Sequence, residues 1–343
     1  MIGVRKRGEE IRKFILENVE EHPSDIVGLA SSRFNISRQA VNKHIKVLVD
    51  QKALVVEGAT RSRKYFLHPL EEWSQIYSLK GKLEEDIVWQ KDISNLLKEL
   101  PDNVREIWHY GFTEILNNAI DHSSGSYAII ALTKTASSTS IRIMDDGEGI
   151  FKKIQRELGL SDEKHSVLEL AKGKLTTDPN HHSGEGIFFS SRMFDRFSIL
   201  SGSTYFTHKY DKVEDWILEN QGTTSGTTVL MDLSNNSCRT SKSIFDKFAS
   251  SNDDYGFTKT IVPVHLAKYG DDQLISRSQA KRLLARVDKF KKVIFDFEDV
   301  ETIGQAFADE IFRVFQLKHK EMELIYINTQ KQVKQMISRA LSR

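Results

Sequence analysis

VREIWHYGFTEILNNAIDHS, residues 104–123, reads as one helix following Pro101, and its two faces decide how the middle of the chain is built. Trp108, Phe112, Leu116 and Ala119 recur at helical spacing, an apolar stripe suited to packing on a sheet. Glu114, Asn118 and His122 fall at i, i+4 and i+8, so they stack along the opposite face, with Asn117 and Asp121 close by. A carboxylate, a carboxamide and an imidazole on a half-buried helix need polar partners, because burying them bare is costly. Taken alone, that face is an ordinary polar helix surface. The sequence around it narrows the reading.

Tyr127–Lys134 and Thr139–Met144 read as adjacent strands, the second running into DDGEGI, residues 145–150. HHSGEGIFFSSRMFD (181–195) follows, where Gly184 and Gly186 can open a helix; after a further strand pair comes SGTTVLMDL (225–233). An acidic helix, a DxGxG turn, a second glycine box and a GTT stretch, in that order, resemble the N box and glycine boxes of the GHKL superfamily (gyrase, Hsp90, histidine kinase, MutL). The spacing of Glu, Asn and His is most similar to the anti-sigma-factor kinases. The resemblance covers about 130 residues and implies an α/β sandwich with a Bergerat-type pocket for ATP and Mg²⁺.

Within that resemblance each residue has an implied role. Asp145 accepts a hydrogen bond from the adenine amine, worth most where water is excluded. Gly147 and Gly149 let the backbone approach the nucleotide without a Cβ in the way, and Ile150 lines the adenine slot. Asn118 ligates Mg²⁺ through its side-chain oxygen, phosphates and waters completing the shell. Gly184 and Gly186 present N–H groups to phosphate at a helix N-terminus, and Thr227 touches the base through its hydroxyl. Glu114 is the general base toward water or a protein hydroxyl. His122 either contacts phosphate or caps its helix. Residues 151–182 form a lid, with Lys164, Lys172 and Lys174 as phosphate-contact candidates. Asp146 stands where many relatives carry Asn, and the second glycine box is lean, so turnover is expected to be slow or absent. His181-His182 lacks a complementary ligand cluster and reads as lid rather than metal site.

Upstream, Ile11, Phe14, Ile15 and Val19 mark a first helix that ends at His22-Pro23. Ser24 and Asp25 can cap a second, running to about Phe34, and Ser37 a third, reaching Asp50. The third has an apolar stripe, Val41, Ile45 and Leu48, and a polar side of Arg38, Gln39, Asn42, Lys43 and Lys46. Lys and Arg neutralise phosphates, while Gln and Asn pair with base edges in the major groove. His44 lies beside the stripe and reads as structural. Two β-like segments, Ala53–Glu57 and Lys64–His68, flank a tip carrying Arg61 and Arg63, with Lys64 just beyond it. LASSRFNISRQAVNKHIKVLVDQKALVVEGATRSRKYFL (29–67) resembles bacterial winged helix-turn-helix regulators. That implies a homodimer on double-stranded DNA; the alternatives are a protein-binding winged helix or a merely solvated charged face.

Net charge over all 343 residues is +1, yet Arg33–Lys64 holds eight Lys or Arg against Asp50 and Glu57, a net of +6. A local patch of that kind concerns partners rather than fold. Residues 71–100 read as a helical connector. The last 90 residues alternate: a helix from Arg277 to Phe290, a strand at 291–297, a helix from Gly304 to Lys318, a strand at 322–328 and a helix at 330–342. VIFDFEDVETIGQAFADEIFRVF (293–315) resembles the STAS-like fold of anti-sigma-factor antagonists, in the variant group with a GQAFADE stretch. Gln305 stands where the substrate serine usually is and cannot take a phosphoryl group; Thr302 lies three residues away. The domain therefore reads as regulatory or docking.

The expected architecture is thus multidomain α+β: winged helix 1–70, connector 71–100, GHKL domain 101–240, STAS-like domain 255–343. Hydrophobic residues at 39% and charged residues at 28% suit a globular protein, with no apolar run long enough for a membrane span and none forming a signal peptide. One cysteine, Cys238, rules out an intrachain disulfide and fits a reducing cytoplasm. Three functions fit: an ATP-responsive DNA-binding transcriptional regulator, a serine/threonine kinase acting on a STAS-type or sigma-factor-related partner, or a DNA-associated ATPase of a stress or defence system.

Overall fold

The computed structural model describes residues 2–175, 184–210, 212–249, 256–268 and 273–342; for 2–5, 61 and 212–224 it describes the backbone alone. They form two compact units, one of residues 1–75, 130–142 and 232–237, the other of 76–129, 143–231 and 238–343. No helix among the described residues is long and apolar enough to cross a membrane.

The first unit opens with helices α1 (Ile2–Asn18), α2 (Ile26–Phe34) and α3 (Arg38–Asp50) and the antiparallel hairpin β1 (Leu54–Glu57) and β2 (Lys64–Leu67), paired from Leu54↔Leu67 to Glu57↔Lys64. Helix boundaries follow local chemistry. Asn35 closes α2 in the left-handed region at φ 50°, and Ser37 caps α3 by accepting from the Ala40 N–H at 3.2 Å. Ile11, Ile15, Val19, Ile26, Ala30, Val41, Ile45, Leu48 and Leu54 are buried in one core. Each large aliphatic side chain there contributes roughly 1.5–3 kcal/mol by leaving water. The Tyr65 N–H donates to the Pro23 carbonyl (2.9 Å), tying the hairpin to the helices.

Residues 71–100 depart from the helical expectation. Glu71–Ser78 is a strand, β3, and helix begins only at α4 (Glu85–Val88). Glu71, Trp73 and Tyr77 are half-buried among exposed neighbours, a period of two rather than 3.6. Pairing with β4 (Tyr127–Lys134) overrides the helix-forming glutamates, because a ladder satisfies backbone groups that an isolated helix satisfies only marginally. β5 (Ser138–Asp145), β6 (Arg196–Lys209) and β7 (Lys212–Ser234) complete a five-stranded sheet in the order β3-β4-β5-β7-β6.

In the second unit, α5 (Asp102–His122) buries Trp108, Phe112, Leu116 and Ala119. The ring of Phe194 tilts against Trp108 at 4.8 Å between centroids. α6 (Ile150–Leu158), α7 (Glu163–Lys172), α8 (Gly186–Met193) and α9 (Ser241–Lys247) follow. The chain then forms a parallel sheet in the order β10-β9-β8 from β8 (Lys259–Pro263), β9 (Lys292–Asp296) and β10 (Glu323–Ile327). α10 (Arg277–Leu284), with a Ser276/Gln279 capping box, precedes β9. α11 (Gln305–Asp309) continues through a π-helical turn into α12 (Gln316–Lys318), and α13 (Lys331–Leu341) ends the chain. Parallel neighbours require such crossover helices. β8 has no counterpart in the sequence reading, and the expected Arg277–Phe290 helix stops at Leu284, where Arg286 turns left-handed at φ 61°.

Candidate functional site

Asp145, at the end of β5, enters a short acidic turn whose two carboxylates have different tasks. Asp146 Oδ1 accepts from the Ser126 and Tyr127 N–H groups (2.6 and 3.0 Å), and these bonds hold its carboxyl below the usual carboxylate range. That gives this acid a structural role. Asp145 Oδ1 accepts from the Gly147 and Thr227 N–H groups (2.9 and 3.2 Å). Burial raises its pKa, the two N–H bonds oppose that, and the Asp146 charge adds to the rise.

The cavity that Asp145 faces has a volume of about 350 Å³. α5 supplies Glu114, Asn117, Asn118 and His122 to its wall; Gly149 and Ile150 come from the turn after Asp145. Gly184 and Gly186 come from the second glycine box, and Thr227 and Val229 from β7. Residues separated by more than 100 positions are thereby brought together. The Thr227 hydroxyl accepts from the Ile150 N–H at 3.0 Å, leaving its own proton able to donate. Gly186 lies so close to Glu114 that a Cβ there would displace the carboxylate Oε2 from its present position in the wall. Tyr110, one turn before Glu114, has its phenol pushed far above its usual range by burial and by the charges of Glu114 and Glu185.

Not every expected residue is in the wall. Gly147 is set back, and its N–H serves by holding Asp145. Asp121 is exposed outside the cavity. None of Lys164, Lys172 and Lys174 lines it: Lys172 is buried against Glu169, and Lys174 sits over the Phe290 ring and donates to the Lys289 carbonyl. His181 and His182, with the rest of 176–183, lie outside the described residues. Among the described residues, Lys153 does line the cavity, and its Nζ donates to the His122 carbonyl at 2.8 Å. No motif marks it, but Ile150, Lys153 and Ile154 fall at i, i+3 and i+4, one face of a helix opened by the glycine turn. No cluster of three His, Cys, Asp or Glu able to hold a metal occurs among the described residues.

In the first unit, Arg38, Gln39, Asn42, Lys43 and Lys46 are all exposed on one side of α3, while Val41, Ile45 and Leu48 are buried on the other. Arg63 and Lys64 are exposed at the hairpin; the Arg61 side chain lies outside the described residues. His44 is half-buried, and burial with the nearby Arg12 charge lowers its pKa, in keeping with a packing role.

The family described as STAS-like domain of unknown function (DUF4325) matches residues 279–334. The chain therefore ends in a STAS-like domain. Gln305 opens its α11, and the amide Nε2 is buried without a hydrogen-bond partner among the described residues. No curated protein matches this chain.

Proposed function

We propose that this chain is an ATP-binding, DNA-binding transcriptional regulator, a winged helix joined to a GHKL-type domain and a STAS-like domain. One observation carries the reading: Asp145, Asn118, Gly149, Gly184 and Gly186 line the same cavity, whose volume falls at the lower end of the usual range for small-molecule sites. An acidic hydrogen-bond acceptor at one station and a carboxamide with closely approaching backbone at another suit a purine and a phosphate chain.

Asp145, with its rotamer held by two N–H groups, would select an exocyclic amine. Asn118 offers Mg²⁺ a neutral oxygen ligand, with phosphates and water completing the shell of such an ion. When bound, Mg²⁺ supplies neutralisation of phosphate charge. Lys153 and His122 bring cationic or hydrogen-bonding groups to the same wall.

The α3 face, with its Gln and Asn among Lys and Arg, together with Arg63 and Lys64, suits the major groove and flanking backbone of double-stranded DNA, bound by a homodimer. Nucleotide controls DNA binding only if two states of the protein bind it with different affinity. The test is DNA affinity, on a site selected from a random pool, with and without Mg-ATP, in wild type and Asp145→Asn. Equal affinity in every case removes the reading.

A second reading rests on Glu114, which lines the same cavity: the nucleotide is also turned over, slowly to water or to a hydroxyl of a separate STAS-type or sigma-factor-related partner. With γ-labelled ATP, release of inorganic phosphate, lost in Glu114→Ala, identifies an ATPase. Label on the partner identifies a kinase.

A further inference from the structure

The cavity is closed on one side by the end of α7 and the start of α8, since Leu170, Leu175 and Phe188 line it. The residues between Leu170 and Leu175 are gripped from behind by the C-terminal region. Lys172, with its side chain 1% exposed, donates to Glu169 at 2.6 Å and to the carbonyls of Arg282 and Ala285, both at 2.9 Å. Those three acceptors use the three donors of an ammonium that has lost its water. The Lys172 carbonyl accepts from the Thr260 hydroxyl at 2.7 Å. Arg286 donates to the Lys174 carbonyl at 3.1 Å and lies 3.6 Å from Glu169 Oε2, while Lys289 donates to the same carbonyl at 3.3 Å.

Packing follows the same line. Gly173 has φ 83°, and a Cβ there would come within 2.6 Å of Phe257 and 2.9 Å of Phe188. Phe257 in turn lies 4.5 Å from Phe188 and 5.1 Å from Phe290 between ring centroids. The Leu175 N–H donates to the Gly184 carbonyl at 3.1 Å, so the gripped segment continues into the second glycine box. Arg282, Ala285, Arg286, Lys289 and Phe290 all fall inside the matched STAS-like region.

We infer that the STAS-like domain is a docking surface for this chain's own Lys172–Leu175 segment, a clamp in cis on the lip of the cavity, and that its grip sets how fast a nucleotide leaves. The nucleotide half rests on the function proposed above; the clamp half does not. Moving the lip breaks bonds made without water, so opening is slow while the domain holds on. A domain of this kind acts by holding a wall in place, and needs no phosphoacceptor, in keeping with Gln305.

The test uses the full chain carrying Arg286→Asn and Lys289→Ala together. Asparagine tolerates the left-handed backbone at 286, and the buried Lys172–Glu169 pair is left intact. Lys334→Ala, exposed on α13 of the same domain, is the control. Hydrogen exchange of the peptide spanning 170–175 should quicken at least about fivefold in the double variant and not in the control. Release of a fluorescent ATP analogue, followed by stopped flow, should quicken by a similar factor. Unchanged exchange overturns the clamp. Faster exchange with unchanged release overturns its control of the nucleotide. A wild type that binds no analogue sinks the nucleotide reading, and exchange then decides the clamp alone. If the double variant fails to fold by circular dichroism, Lys289→Ala is read the same way.

Discussion

α3 and α5 each carry a polar face against an apolar one, and they differ in what surrounds the polar side. On α3 the Arg, Lys, Gln and Asn side chains are exposed, open to solvent. On α5 Glu114, Asn118 and His122 are half-buried in the wall of a cavity, beside a glycine that a Cβ would drive into the carboxylate. A solvated face costs the fold little and is free to be chosen for a partner. An enclosed one must be matched by its surroundings, so its neighbours carry part of the functional message. Stability and binding should therefore respond differently to substitution in the two places.

The largest contrast is expected between buried and exposed charge. Burial pushes the Glu169 carboxyl up, but the His165 bond and the Lys172 charge outweigh it and hold the group low. Glu169→Gln leaves Lys172 buried without its counter-charge and should cost about 3–5 kcal/mol in chemical denaturation. Lys43→Ala on α3 should stay within about 0.5 kcal/mol. Equal losses would erase the comparison. The sign with pH follows: a carboxylate held low contributes stability that is present above its unfolded pKa and is lost as pH falls through the folded one.

Next comes ligand binding at Asp145. Asp145→Asn should weaken ATP about 30- to 100-fold by calorimetry, the value of one hydrogen bond to a buried charged group. Thermal stability should hold or rise, because burial disfavours the Asp145 carboxylate in the folded state. A large fall in Tm with unchanged affinity would make Asp145 a structural residue like Asp146.

Smaller effects are expected on the exposed face. Asn42→Ala should cost about 1–3 kcal/mol on a preferred DNA site and little on random sequence. Lys64→Ala should weaken both alike and lower the salt slope by about 1. If both substitutions are silent, α3 is solvated surface and nothing more. The mildest effect is a pH limb: ATP affinity should fall on acidification through a pKa raised above the ordinary aspartate value of about 3.9, and Asp145→Asn should remove that limb.

What could be read from residues alone was local. The stripe and polar face of α3, its Ser37 cap, the buried face of α5, the DDGEGI turn and the alternation of helix and strand after Arg277 depend on neighbours within a few positions. Periodicity and capping chemistry record those directly. Even the meeting of Glu114, Asn118 and His122 on one wall follows from the helical repeat. Tertiary structure alone decided the rest. It made Glu71–Ser78 a strand, put Lys153 in the cavity, withdrew Gly147 from it, and spent Lys172 on carbonyls 110 and 113 residues away. Whether a lysine meets a ligand, a carboxylate or water depends on which distant segments exclude solvent around it. Chain spacing carries no trace of that, because the desolvation that fixes each partner exists only once the chain has closed on itself.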